Sequence, residues 1–331
     1  MRKGKPIIRR RISAGKPLSF DYTLAQAFDY FIALKKAEAV RERTMRDYHT
    51  LMQLFSEWLG GDDVPVNKIT TATIRDYVVY LRDEHVNERT GEVGLSPTTI
   101  NVRLRFLKVF FNTLFREEII DANPVRNVKL MRADDDPIEL LTDEEIERLL
   151  SVMDVREYSQ FRDKVICYTI LDCGIRIGEL CAVEVQDIDF KTRTINLPGH
   201  KTKNRKPRLL PLSNKTTRLL LELITENKAH FDSSYVFLSN FGERYNPNSF
   251  RRRLILYREK AGINKRVSPH VLRHIFCRNY ILAGGDVFSL ARIAGHADIA
   301  TTRRYVDMSK DDIKAQHALY SPVLRIRDKY K

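Results

Sequence analysis

The chain of 331 residues contains no apolar run approaching the roughly 20 residues that span a bilayer. Its amino terminus is charged and lacks the apolar segment of a secretory signal, so the expectation is a soluble cytoplasmic protein with no membrane partner. Cysteine is scarce: Cys167, Cys173, Cys181 and Cys277 form no CxxC pair and lie mostly in apolar segments. That pattern argues against disulfides and a zinc site and for buried thiols in a reducing compartment. No acidic metal cluster and no internal repeat is visible, and no metal is assigned. What the chain has in excess is positive charge. A formal net charge of +14 with 30% charged residues calls for an anionic partner, nucleic acid first and an anionic surface second.

Residues 1–20 open with "MRKGKPIIRRRISAGKP", basic, acid-free and without apolar periodicity, which reads as a flexible arm that either touches phosphates or is simply solvated. Over residues 21–122 helical patterns dominate, and four of them make a compact bundle. The fourth starts at Ser96 as N-cap with Pro97 first, then repeats apolar residues at Ile100, Leu104, Leu107, Phe111 and Leu114. Asn101, Arg103, Arg105 and Lys108 fall on its other face and are candidate DNA contacts, although a charged helix face is also what solvent alone would select. Prolines, an acidic triplet and loss of periodicity mark residues 123–140 as a linker. The second domain, residues 141–331, begins with the capping-box sequence "TDEE". It continues with two helices, a β-hairpin made of "TINL" and "RLLPL" around a basic turn, and a return to helices. The fold class is therefore mainly α with a small β-sheet: a helical-bundle domain followed by an α+β domain.

Three short stretches in that second domain carry chemistry. In "CGIRIGEL", Gly174 can end one helix and leave Arg176 beside the start of the next, where a phosphate is easily held; an ion pair with Glu179 is the competing use. In "SPHVLRHIF", His270 and Arg273 share the first turn of a Ser-Pro helix, an anion-favouring end, and His274 reads as a packing or orienting neighbour. The hairpin turn offers Lys201, Lys203 and Arg205, cations that a tight turn lays over a phosphodiester, or else leaves in solvent. Finally "GHADIATTRRY" places Tyr305 nine residues after His296. Together these residues suit attack by a tyrosine hydroxyl on a phosphodiester. Fixed guanidinium forks face the non-bridging oxygens, and a second group handles the protons of a phenol whose ordinary pKa is about 10.

The ordered set "GIRIGEL", a hairpin lysine, "HVLRH" and "GHADIATTRRY" resembles the tyrosine recombinase family, the integrases and Xer-type recombinases. The resemblance covers most of the chain. It implies a core-binding domain over the first bundle and a catalytic domain over the second. It implies catalytic roles for Arg176, Lys203, His270, Arg273, His296 and the nucleophile Tyr305, with Lys203 selected by its spacing to Pro211 and Lys201 held in reserve. Lys201 and Arg205 join Asn101, Arg103, Arg105 and Lys108 as DNA-binding candidates. It further implies a 3′-phosphotyrosyl intermediate, exchange through a Holliday junction, no cofactor, and a homotetramer on double-stranded DNA sites within the nucleoid, with accessory DNA-bending proteins as further partners. The sequence departs from the family at Ala294, where leucine is usual, and at Ile275, where serine or threonine is common; neither removes a functional group. The residues after Tyr305 dock, in such proteins, on a neighbouring protomer; a helix folded back on its own domain is the alternative. Integration or excision of a mobile element is the expected task. Xer-type dimer resolution, a type IB topoisomerase or telomere resolvase, and a non-catalytic DNA-binding protein are the competing readings.

Overall fold

The structure, a computed structural model, describes residues 22–87, 91–132, 139–202 and 204–296, together with Asp298, Thr302, Lys314, His317, Ala318, Ser321 and Val323. The basic arm, Lys203, Tyr305 and nearly all of the carboxy-terminal tail lie outside these residues. The chain divides into two compact units, 1–136 and 137–331. Among the described residues no helix is long and apolar enough to cross a membrane.

The first unit holds α1 (Leu24–Ala37), α2 (Glu42–Leu59), α3 (Thr71–Asp83) and α4 (Pro97–Arg116). Their starts are written locally. Thr23 and Thr70 close capping boxes, and the Ser96 hydroxyl accepts from the Thr99 amide ahead of Pro97. Helix α4 packs against the other three. It does so through the expected Ile100, Leu104, Leu107, Phe111 and Leu114, and also through Phe106 and Phe110, which widen the apolar stripe. An aromatic core results, in which Phe110 meets Phe31 and Phe111 edge to face at 5.4 and 4.9 Å.

Helix α4 also revises the face suggested by its charge pattern. Asn101 is buried, and its side-chain amide donates to the Met131 carbonyl at 2.9 Å while its oxygen accepts from the Met131 amide at 2.9 Å. Lys108 donates to the Val125 carbonyl at 3.1 Å, and Arg103 donates to the Tyr77 hydroxyl at 3.3 Å. These three side chains fasten the stretch after the bundle, or a neighbouring helix, to α4. Val125 and Val128, within the stretch read as linker, are accordingly buried in the first core. The exposed side of α4 is instead Val102, Arg105, Val109, Asn112 and Arg116.

In the second unit α5 (Asp143–Ser151) leads to α6 (Tyr158–Cys173), which packs on α8 (Asn214–His230) and α10 (Pro269–Leu282). Helix α6 has no exposed residue, as befits a central helix. Its two buried ionic residues, Arg162 and Asp163, pair with each other. Buried Asp163 accepts from Arg162 at 3.0 Å, from Arg253 and from the Tyr257 hydroxyl at 2.9 Å, while Arg162 lies 3.5 Å over the Tyr245 ring. Between α7 (Ile177–Leu180) and α8 lies a three-stranded antiparallel sheet, β1 (Ile188–Asp189), β2 (Thr194–Leu197) and β3 (Arg208–Pro211). The expected hairpin is β2–β3, with Ile195 opposite Leu210 and Leu197 opposite Arg208. Strand β1 is an addition, too short to give a period of its own. After α9 (Pro247–Lys260) and α10, α11 (Val287–Ala294) ends in Gly295 with φ of 64°. All four cysteines are buried free thiols, and burial pushes Cys173 and Cys181 up to about 12.

Candidate active site

Four segments far apart in sequence converge in the second unit. Helix α6 ends at Gly174, whose φ of 63° is the left-handed conformation that glycine adopts without strain. The chain then turns so that Arg176 caps the four-residue α7. Arg176 Nη2 donates to the Gly295 carbonyl at 3.0 Å and Nη1 to Glu179 Oε1 at 3.4 Å. The ion pair with Glu179 is thus present, and the Arg176 side chain is still 27% exposed.

Arg273 is the fifth residue of α10, which starts at Pro269 after the Ser268 cap. It is nearly fully buried and donates through Nη1 to the Gly174 carbonyl and through Nη2 to the Ala294 carbonyl at 2.7 Å. Burial first, then the nearby Arg176 charge, pulls its pKa down to about 10, which leaves it charged near neutrality. Adjacent carbonyls, Ala294 and Gly295, thus receive the two arginines, and the turn they belong to begins the nine-residue span to Tyr305. Ala294, where bulkier leucine is usual, is fully buried and acts here through its backbone.

His296 follows immediately. Its Nδ1 lies 2.7 Å from the hydroxyl of fully buried Thr302. If that hydroxyl donates, the imidazole proton sits on Nε2. Desolvation, then Arg273 and Arg176, lowers its pKa to about 4, so the ring is neutral at physiological pH. The sign follows: an unfolded histidine near 6.5 takes its proton as pH falls while the folded one does not. His296 therefore supports the fold fully above pH 6.5, and the support is lost as pH falls from 6.5 to 4. We expect His296→Asn to flatten the decline of the urea midpoint between pH 7 and pH 4; parallel wild-type and variant profiles would rule this out.

His270 is exposed, and its Nε2 lies 3.1 Å from Nε2 of buried His274. The rings meet edge to face at 4.3 Å, so His274 sits where it can orient His270. In the turn between β2 and β3, Lys201 Nζ is bound to Asp187 Oδ2 at 2.6 Å and Glu184 Oε1 at 3.2 Å. Burial opposes its charge, but the two carboxylates outweigh burial and raise its pKa. The turn is held by Thr202, whose hydroxyl donates to the Gly199 and Lys206 carbonyls, and by Asn204, which donates to the Gly295 carbonyl at 3.1 Å. Gly199 is needed for close approach: a Cβ there would stand 2.6 Å from the Arg205 carbonyl oxygen. Arg205 itself is exposed on this turn with φ of 54°.

Sequence reasoning missed Arg208, Asn204 and Thr302 as members of this cluster. Arg208, at the start of β3, donates to Glu179 through both Nη1 at 3.2 Å and Nη2 at 2.5 Å, and through Nε to the Ile293 carbonyl at 3.0 Å. The available signal was an arginine leading an apolar strand into a domain core.

A compact α+β unit that gathers two guanidinium forks, a neutral histidine and a basic hairpin turn defines a phosphodiester-acting class. Comparison with known proteins then gives the family. The Phage integrase family model matches residues 139–312 and the Phage integrase SAM-like domain matches residues 23–130. This chain belongs to the phage integrase family of tyrosine recombinases. Curated relatives include the tyrosine recombinase XerC of Thermodesulfovibrio yellowstonii, 29% identical over 83% of this chain and 88% of its own. The XerC of Myxococcus xanthus is also 29% identical, over 74% and 80%. Among solved structures, the Tn1549 transposon integrase in complex with a circular intermediate DNA shares the fold, with a TM-score of 0.73 at 22% identity over 90% of this chain and 99% of that one.

Proposed function

We propose that this protein cuts and rejoins double-stranded DNA at specific sites through a 3′-phosphotyrosyl link to Tyr305, to integrate and excise a mobile element. One observation carries the reading: Arg176 and Arg273 are anchored on the adjacent carbonyls of Gly295 and Ala294, beside a neutral His296. Such an arrangement holds two permanent cations and one imidazole for a single phosphate. The forks meet the non-bridging oxygens as their charge grows, and His296 donates a hydrogen bond from Nε2 to one of them. His270, oriented by His274, assists the tyrosine proton. Lys203 protonates the leaving 5′ oxygen; the commitment of Lys201 to Asp187 and Glu184 supports that choice. Bond energy is kept in the tyrosyl ester, so neither a metal nor a nucleotide is required.

DNA is gripped through Arg105 on α4, Arg205 on the turn and the basic arm. Asn101, Arg103 and Lys108 support α4 from inside, and Lys201 supports the turn. The active form is a homotetramer on DNA within the nucleoid, its protomers linked by residues 311–331, and deletion of that tail is expected to separate DNA binding from coordinated cleavage. Its similarity to XerC proteins favours a second reading, dimer resolution. Mapping cleavage sites across the host genome separates the two: paired element ends fit integration, a lone chromosomal site fits resolution.

The primary test incubates the purified protein with labelled, nicked duplex in EDTA and examines a denaturing gel for a covalent adduct, mapped by peptide sequencing. An adduct at Tyr305 supports the reading; firm DNA binding without any adduct rejects catalysis.

A further inference from the structure

We propose that Arg208 is a positioning residue for strand cleavage, one that occupies Glu179 so that the Arg176 fork remains available to the phosphate. The inference rests on the reading above. Glu179 is buried, and a buried carboxylate needs cationic partners. Arg208 meets it with two roughly parallel bonds, 2.5 and 3.2 Å, whereas the Arg176 guanidinium only grazes it at 3.4 Å. Glu179 also accepts from the Arg176 main-chain amide at 3.3 Å, so the same acid that holds the Arg176 backbone competes with a phosphate for its side chain.

Geometry assigns the division of labour. The Arg208 side chain is 6% exposed and so is shielded from DNA, while Arg176 is 27% exposed. Arg208 further ties β3 to the end of α11 through the Ile293 carbonyl, two residues before Gly295. A Cβ on Gly295 would stand 2.9 Å from Arg208 Nη1, so the turn is seated directly on this arginine. Remove Arg208 and Glu179 draws Arg176 into a closed pair, away from the non-bridging oxygens. The lost contact is one made in the transition state, so rate falls and DNA affinity does not.

The test uses the full chain and a nicked duplex that the wild-type protein selects from a randomised pool. Arg208→Met is expected to slow adduct formation at saturating DNA about 30-fold, with the dissociation constant within about twofold of wild type. Glu179→Gln added to Arg208→Met removes the competing charge and is expected to restore about tenfold of that loss, which a merely structural arginine would not allow. Should Arg208→Met show no cooperative melting, Arg208→Lys carries the test: its single ammonium cannot fork, and cleavage about fivefold slower than wild type is expected. A folded variant that cleaves at the wild-type rate overturns the inference, as does a double variant no faster than Arg208→Met. Absence of adduct with wild type overturns the functional reading itself.

Discussion

Arg273→Ala is expected to lower the rate of adduct formation by on the order of 10²- to 10³-fold and to destabilise the second unit by about 2–5 kcal/mol. The two effects have separate origins. The rate effect follows, on the proposed function, from losing one of the two cations assigned to the phosphate. The stability effect follows from the buried carbonyls of Gly174 and Ala294, both of which lose a charged donor. Because the Arg273 charge is the second cause of the low His296 pKa, the variant should also return His296 toward its ordinary value. Single-turnover cleavage, chemical denaturation and a histidine titration read the three consequences. Cleavage within about threefold of wild type would remove Arg273 from the phosphate.

Gly174→Val is expected to be the most damaging substitution outside the charged cluster, at about 3–5 kcal/mol, with cleavage falling alongside stability. A branched side chain is strained at φ of 63°, and a Cβ at this point runs into the Phe276 ring on α10. The same residue supplies the carbonyl that anchors Arg273, so strain at the helix end reaches that arginine directly. Trimming the ring in Gly174→Val/Phe276→Ala relieves the collision and leaves the backbone strain. The double variant should therefore lose less than the sum of the singles, by about 1 kcal/mol or more. Strict additivity in denaturation would show that the ring contact is irrelevant.

Much of this molecule could be read along the chain because its signals are local. Helix caps such as Ser96-Pro97, Thr142 with Glu145 and Ser268-Pro269 act within one turn, and the structure starts helices at each. The Gly174 break and the Arg176 cap that follows it are equally local, as is the pairing of "TINL" with "RLLPL". The ordered motifs were sufficient to indicate the family.

Other features depend on which surface meets which. Asn101 and Lys108 have the charge pattern of an outward face, yet their partners Met131 and Val125 lie 30 and 17 residues away. No periodicity reports that the chain folds back there. Lys201 and Lys203 stand two residues apart with one chemistry; Asp187 and Glu184, in the segment between α7 and β1, claim the first.

The sequence by itself determined where most helices and the hairpin begin, and the order of the motifs that mark the family, because caps and turns operate within a few residues. Only the tertiary structure decided how their charges are shared. The Arg208–Glu179 pair spans 29 residues and the Arg176 bond to Gly295 spans 119. Contacts at such separations are set by packing of whole elements, and that packing makes Arg208 a support, Arg273 a buried cation and His296 a neutral ring.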